Sequence, residues 1–136
     1  MAFDATVQSG ADGATQTANA FTIGDITFEL RCFKSGATQF LEGRAVFGST
    51  GNVSSTTLYS TETGGGGSTG AIQADMPVSA STIFFVGNGT GVTQSANGTA
   101  LLRTATQVLT VTYHGNSTFD TANCSMWGSV FAAPRT

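Results

Sequence analysis

The stretch Ile26-Thr27-Phe28-Glu29-Leu30-Arg31-Cys32 alternates apolar and polar side chains without a break. Successive side chains of an extended chain point to opposite faces, so this alternation creates one apolar and one polar face. The apolar face carries Ile26, Phe28, Leu30 and Cys32, and the polar face carries Thr27, Glu29 and Arg31. One buried and one solvated face are typical of an antiparallel sheet. The stretch therefore predicts an amphipathic strand with Cys32 pointing inward.

Further segments of the chain have strand character and are separated by glycine-containing turns. The run Ile83-Phe84-Phe85-Val86 is apolar throughout, which predicts a central strand buried on both faces. Turns are predicted at Asn88-Gly89, Asn97-Gly98 and His114-Gly115-Asn116. The predicted strands are 26–32, 40–47, 53–59, 71–76, 81–86, a short segment around Val92, 105–113 and 125–132. About eight strands without an amphipathic helix indicate an all-β protein, an antiparallel β-sandwich or a jelly-roll-like fold.

The composition excludes several functional classes. Only 10% of the residues are charged, against about 25% in average globular proteins. A net charge of −3 with five scattered basic residues argues against nucleic acid as a partner, which requires clustered Lys and Arg. No apolar run has the length that a membrane span requires, so no membrane partner is predicted.

The cysteines and the N-terminus lead to an expectation about the compartment. The start Met1-Ala2-Phe3-Asp4 lacks the positive charge and the apolar run of a secretory signal, which predicts synthesis in a cytoplasm. Since reducing compartments disfavour disulfides, Cys32 and Cys124 are interpreted as two buried free thiols, with a bridge as the alternative. Glycosylation requires the secretory route, which this N-terminus does not indicate. The five Asn-X-Ser/Thr triplets are therefore attributed to turn chemistry rather than to glycosylation.

The first twenty residues differ in character from the rest. They are small and polar, and they offer only Phe3 and Val7 for burial. Residues 1–20 are therefore predicted to form an extended N-terminal arm, with Phe3 and Val7 as anchors on a neighbouring subunit; the alternative is a frayed terminus. Residues 21–136 are predicted to form a single β domain, with a flexible glycine-rich loop at 62–70.

The side chains that catalysis or metal binding requires are sparse. There is one histidine, His114, the acids are spread singly along the chain, and the two cysteines lack zinc-site spacing. No catalytic, cofactor-binding or metal residue is predicted, and the protein is expected not to be an enzyme. Tyr113 and Trp127 are predicted as further interaction anchors, which could also stack on a sugar ring; the alternative is that either ring lies in the core.

In its low charge, its abundance of Thr, Ser, Ala and Gly, its predicted arm and its small β domain, the chain resembles the capsid decoration or cement proteins of tailed bacteriophages. The resemblance implies a homo-oligomer, a dimer or trimer, made in the host cytoplasm. It would bind the major capsid protein on the surface of the virion and stabilise the shell by bridging subunits. The alternative is a receptor- or glycan-binding head domain of a phage fibre or adhesin, for which no stalk repeat is present.

Overall fold

The computed structural model describes residues 1–10, 13–61, 66–76, 80–88, 93–118 and 121–135, with side chains for all of these except 54–61, 66–76 and 88. The described residues form ten β-strands and no helix. The strands are β1 Ala2–Gln8, β2 Thr15–Ile23, β3 Ile26–Ser35, β4 Thr38–Phe47, β5 Gly51–Thr61, β6 Gly66–Met76, β7 Ala80–Asn88, β8 Thr93–Thr104, β9 Gln107–Thr118 and β10 Asn123–Pro134. The all-β prediction is confirmed.

The strands form two antiparallel sheets that pack face to face as a sandwich. The larger sheet has the order β1-β10-β9-β8-β5-β6, and the smaller has the order β2-β3-β4-β7. Strands β2-β3-β4 form a meander in the smaller sheet, and strands β8-β9-β10 form a meander in the larger sheet. In both meanders, strands that are consecutive in the chain are hydrogen-bonded neighbours. Of the two architectures expected from the sequence, the sandwich is the one that forms.

The core lies between the two sheets and follows the alternation seen in the sequence. Ile26, Phe28, Leu30 and Cys32 are all fully buried on the inner face of β3. The same alternation holds on β9, where Leu109, Val111 and Tyr113 are buried while Thr110 and Thr112 are exposed. The period-two pattern therefore places the side chains of both sheets correctly.

The N-terminal segment is part of the sandwich, so the prediction of an arm outside the domain is corrected. β1 pairs along its whole length with β10, and β2 pairs with β3. The amide of Val130 donates to the carbonyl of Met1 at 2.8 Å, so the pairing begins at the first residue. Small polar residues form these strands because the edge of a sheet requires backbone hydrogen bonds on one side and few buried side chains.

The two cysteines form a disulfide, which corrects the interpretation as free thiols. Cys32 lies on β3 of the smaller sheet and Cys124 on β10 of the larger, with their Cα atoms 5.9 Å apart. Each side chain points inward on its own strand, and both are fully buried. The bridge therefore crosses the core and joins the two sheets covalently.

Two segments that were predicted as turns lie within strands. Asn97-Gly98 lies within β8 and His114-Gly115-Asn116 within β9, so the turn explanation for those asparagines is also wrong. Gly115 is on the inner face, where a Cβ atom would lie 2.7 Å from Cε2 of Phe84. This glycine makes room for an aromatic ring of the opposite sheet rather than for a turn.

Other predictions differ from the structure in position. The apolar run 83–86 belongs to β7, which is the last strand of the smaller sheet rather than a central one. Residues 66–70 of the predicted glycine-rich loop are part of β6, whereas residues 62–65 and the segment around Val92 lie outside the described residues.

Candidate interaction surfaces

Three of the four predicted anchors pack in or against the protein's own core. Phe3 is 7% exposed, and its ring centroid lies 5.2 Å from that of Phe21. Val7 is half-buried and packs against the core. Tyr113 is fully buried and stacks on Phe84, with centroids 4.7 Å apart. Because Phe3 and Tyr113 are buried in the monomer core, they are not accessible to a partner, and their assignment as interaction anchors is corrected. For the partly buried Val7 the assignment stays a prediction.

Trp127, the fourth anchor, lies at the surface. It points outward from β10, is 41% exposed and stacks on His114 of the neighbouring strand β9. The two ring centroids are 5.7 Å apart and the ring planes differ by 17°. The pair therefore forms a platform of two stacked rings on the outer face of the larger sheet.

Polar side chains surround this platform. Asp4 of β1 lies directly opposite Trp127, and Asn97 of β8 lies directly opposite His114. The next row along the sheet contains Ser129 opposite Thr112, both exposed. Hydroxyl, amide and carboxylate groups thus line both sides of the aromatic pair.

A second aromatic surface lies on the outer face of the smaller sheet. Phe33 of β3, Phe40 of β4 and Phe85 of β7 form a contiguous group, which we call the Phe platform. The ring centroids of Phe33 and Phe40 are 5.1 Å apart and those of Phe40 and Phe85 are 5.2 Å apart, both in stacked geometry. Phe33 and Phe40 are half-buried, and Phe85 is 51% exposed. Three rings on a solvent-facing sheet leave apolar area in water, which is typical of an interaction site.

Two ion pairs border the Phe platform. Glu29 lies opposite Arg44 and is bound to its Nε, and Arg31 lies opposite Glu42, with Nη1 3.2 Å from Oε2. Thr82 Oγ1 also donates to Glu42 Oε1 at 2.9 Å. Because each of these four charges has a partner of opposite sign across the strands, together they add no net charge to this part of the face.

The described residues offer little for catalysis or metal binding. They contain no group of three or more His, Cys, Asp and Glu side chains that would hold a metal ion. His114 contacts the ring of Trp127, and Glu29 and Glu42 are bound by arginines. An open cleft of about 150 Å³ is lined by Thr50, Gly51, Asn52, Ala105 and Arg135. Over the same part of the chain, no helix is long and apolar enough to cross a membrane.

Sequence reasoning missed the Phe platform, although part of its signal is present. Phe33 continues the outward series of Thr27, Glu29 and Arg31, and Phe40 precedes the outward Glu42 by two residues. Extending the alternation by one step therefore places both rings outward. Phe85 carries no such signal, because its neighbours in the sequence are also apolar.

Comparison of the chain with family models, curated proteins and solved structures found no match in any of the three.

Proposed function

We propose that this chain is a non-enzymatic structural protein of a virion. It decorates the outside of the assembled capsid, binds the major capsid protein and stabilises the shell by bridging neighbouring subunits. Copies of the chain associate as dimers or trimers on that surface. The proposal combines the resemblance in composition with the exposed Phe platform.

The Phe platform is the observation that supports a protein partner. Aromatic residues are enriched at the centres of protein interfaces, where they bury large apolar area at a low cost in side-chain entropy. Stacking of Phe33, Phe40 and Phe85 on one another already restricts their rotation, so little further ordering is required on binding. The neighbouring ion pairs supply a polar border of the kind that surrounds a desolvated interface centre.

Repetition would convert a modest contact into a stable one. A platform of three rings is small for an interface that must hold on its own. On a shell every copy faces an equivalent site, and a dimer or trimer that engages two or three sites gains affinity through effective concentration. The sandwich itself is held by a cross-sheet disulfide, so it would transmit load between capsid subunits without unfolding.

Rebinding to stripped capsids tests the proposal. Mass spectrometry and cryo-electron microscopy of purified particles would first locate the chain and its copy number. Wild-type protein should then rebind to stripped shells and raise their temperature of disruption. Phe85→Ser should lower the affinity at least tenfold, because it replaces the most exposed ring of the platform by a hydroxyl group.

Trp127→Ser is the matched control, since it removes an exposed aromatic ring from the opposite outer face. It should rebind like the wild type. Absence of the chain from particles, or unchanged shell stability after its removal, contradicts the decoration role. Equal rebinding of the Phe85 variant contradicts the assignment of the Phe platform as the contact.

A further inference from the structure

The outer faces of the two sheets differ in chemistry, which indicates two kinds of ligand. On the smaller sheet, the exposed aromatic rings contact one another and leave a contiguous apolar area. On the larger sheet, the Trp127–His114 pair lies among hydroxyl, amide and carboxylate side chains. An apolar protein surface would leave these polar groups without partners, at a cost of about 1–3 kcal/mol for each one that is buried unsatisfied.

We infer that the outer face of the larger sheet is a carbohydrate-binding surface with Trp127 as its stacking platform. A pyranose ring has an apolar face of C–H groups and a rim of hydroxyl groups. The C–H face is attracted to the electron-rich face of the indole ring that is turned away from His114, and the hydroxyl rim requires hydrogen-bonding partners around it. The platform and its polar border supply both.

The position of each polar group fits such a ligand. Asp4 and Asn97 lie in the same row as Trp127 and His114, on either side of the aromatic pair. The carboxylate of Asp4 accepts hydrogen bonds from hydroxyl groups, and the amide of Asn97 both donates and accepts. Exposed Thr112 follows in the next row and adds a hydroxyl group that also donates and accepts.

The length of the surface favours a polysaccharide over a single sugar. Phe131 lies four residues beyond Trp127 on the same outer face of β10 and is 71% exposed. At about 3.4 Å per residue, the two aromatic residues are separated by about 14 Å along the strand. Exposed Ser129 lies between them, so an extended chain can contact both rings over a polar floor. The expected ligand is therefore an extended polysaccharide.

The chain contains a single tryptophan, so its fluorescence reports on this surface alone. Wild-type protein would be titrated with soluble glucan, chitosan, mannan and alginate, and tested for retention on affinity gels containing each. At least one polysaccharide should give a saturable change in the emission of Trp127 and a matching retardation. A panel that gives neither signal overturns the inference.

Variants assign the binding to this face. Trp127→Ala should lose at least tenfold in retention, and Phe131→Ala should lose several-fold without loss of the fluorescence signal. His114→Ala should weaken binding while the domain stays folded, which circular dichroism would verify. The inference is overturned if Trp127→Ala is retained on the gel as strongly as the wild type. It is also overturned if Phe85→Ser, a change on the other sheet, lowers retention as much as Trp127→Ala does.

This inference does not depend on the capsid role. Failure of the capsid experiment leaves the polysaccharide titration unaffected, because the two tests use opposite faces of the sandwich. If both succeed, the chain would bind the shell through the smaller sheet and present the larger sheet to surface polysaccharide.

Discussion

At the scale of single residues, the packing between the sheets depends on the absence of side chains at two positions. The ring of Phe84 lies against Gly43 of β4 in its own sheet and Gly115 of β9 in the opposite sheet. It also stacks on Tyr113, with an interplanar angle of 10°. The ring of Phe84 thus occupies the space into which the Cβ atom of any residue other than glycine at positions 43 and 115 would project.

Gly43→Ala should destabilise the domain by about 3 kcal/mol, because the new methyl group would overlap the ring of Phe84 in a core that cannot relax freely. The free energy of unfolding in urea measures this loss. Adding Phe84→Leu should recover part of it by removing the overlapping atoms. Gly10→Ala is the control: its methyl group would lie close to the flexible end of the Gln16 side chain and in ordinary contact with Ala14, so an equal loss there would contradict the packing argument.

Another residue-scale feature is the fully buried amide of Gln39. Its Oε1 accepts from Ser9 Oγ at 2.8 Å, and its Nε2 donates to Ser117 Oγ at 3.1 Å. Nε2 also lies within hydrogen-bonding distance of the carbonyls of Thr118 and Asn123, at 3.2 and 3.1 Å. One side chain therefore connects β4 to the segment after β1 and to both strands β9 and β10, which explains why a polar residue is retained in the core.

At the scale of elements, the N-terminal strand shows how a polar segment becomes part of the fold. β1 contributes only Phe3, Ala5 and Val7 to the inner face, and its remaining side chains face solvent or the sheet edge. Pairing with β10 satisfies its backbone groups, while Phe3 packs on Phe21 and Phe28 of the facing sheet. The first and last strands of the chain thereby lie next to each other.

Phe3→Ala should lower the free energy of unfolding by about 3 kcal/mol, because it removes a buried ring between the two sheets. An arm that binds only neighbouring subunits would give a different result, namely unchanged monomer stability and weaker oligomers. Thermal and urea unfolding at several protein concentrations separate these outcomes. Thr6→Ala, on the exposed side of the same strand, should change stability little.

At the scale of the whole molecule, the disulfide connects the two layers at a point remote in sequence. Cys32 and Cys124 are separated by 92 residues, so the bridge closes a loop that contains most of the chain. In the chain-entropy model a loop of this size stabilises the folded state by about 4–5 kcal/mol. Both sulfur atoms are fully buried, which protects them from reductants while the domain is folded.

Replacing both cysteines by alanine should therefore lower the free energy of unfolding by about 4 kcal/mol, and reductant should lower the urea midpoint of the wild type to a similar extent. Reductant added without urea should leave the wild type folded, since the sulfur atoms are inaccessible. The double alanine variant serves as the control, because its midpoint should not respond to reductant. Equal midpoints for the wild type in both redox conditions would contradict a stabilising bridge.

The alternation of residues 26–32 was sufficient to predict an amphipathic strand of an antiparallel sheet, its inner face and the inward direction of Cys32. Local patterning fixes these features because neighbouring side chains of a strand must point to opposite faces. The same logic, extended by one step, also places Phe33 and Phe40 outward. The sequence pattern thus predicts the outward direction of two of the three rings of the Phe platform.

The tertiary structure decided what depends on contacts between distant segments. Burial of Phe3 and Tyr113 required knowing which strands of the opposite sheet face them, and the exposure of Phe85 required knowing which side of β7 is the outer face of the sandwich. Pairing of Cys32 with Cys124 required the two sheets to bring inward-facing positions together. The stacking of Trp127 on His114 depends on the register of β10 against β9, which backbone pairing sets and which no local pattern encodes.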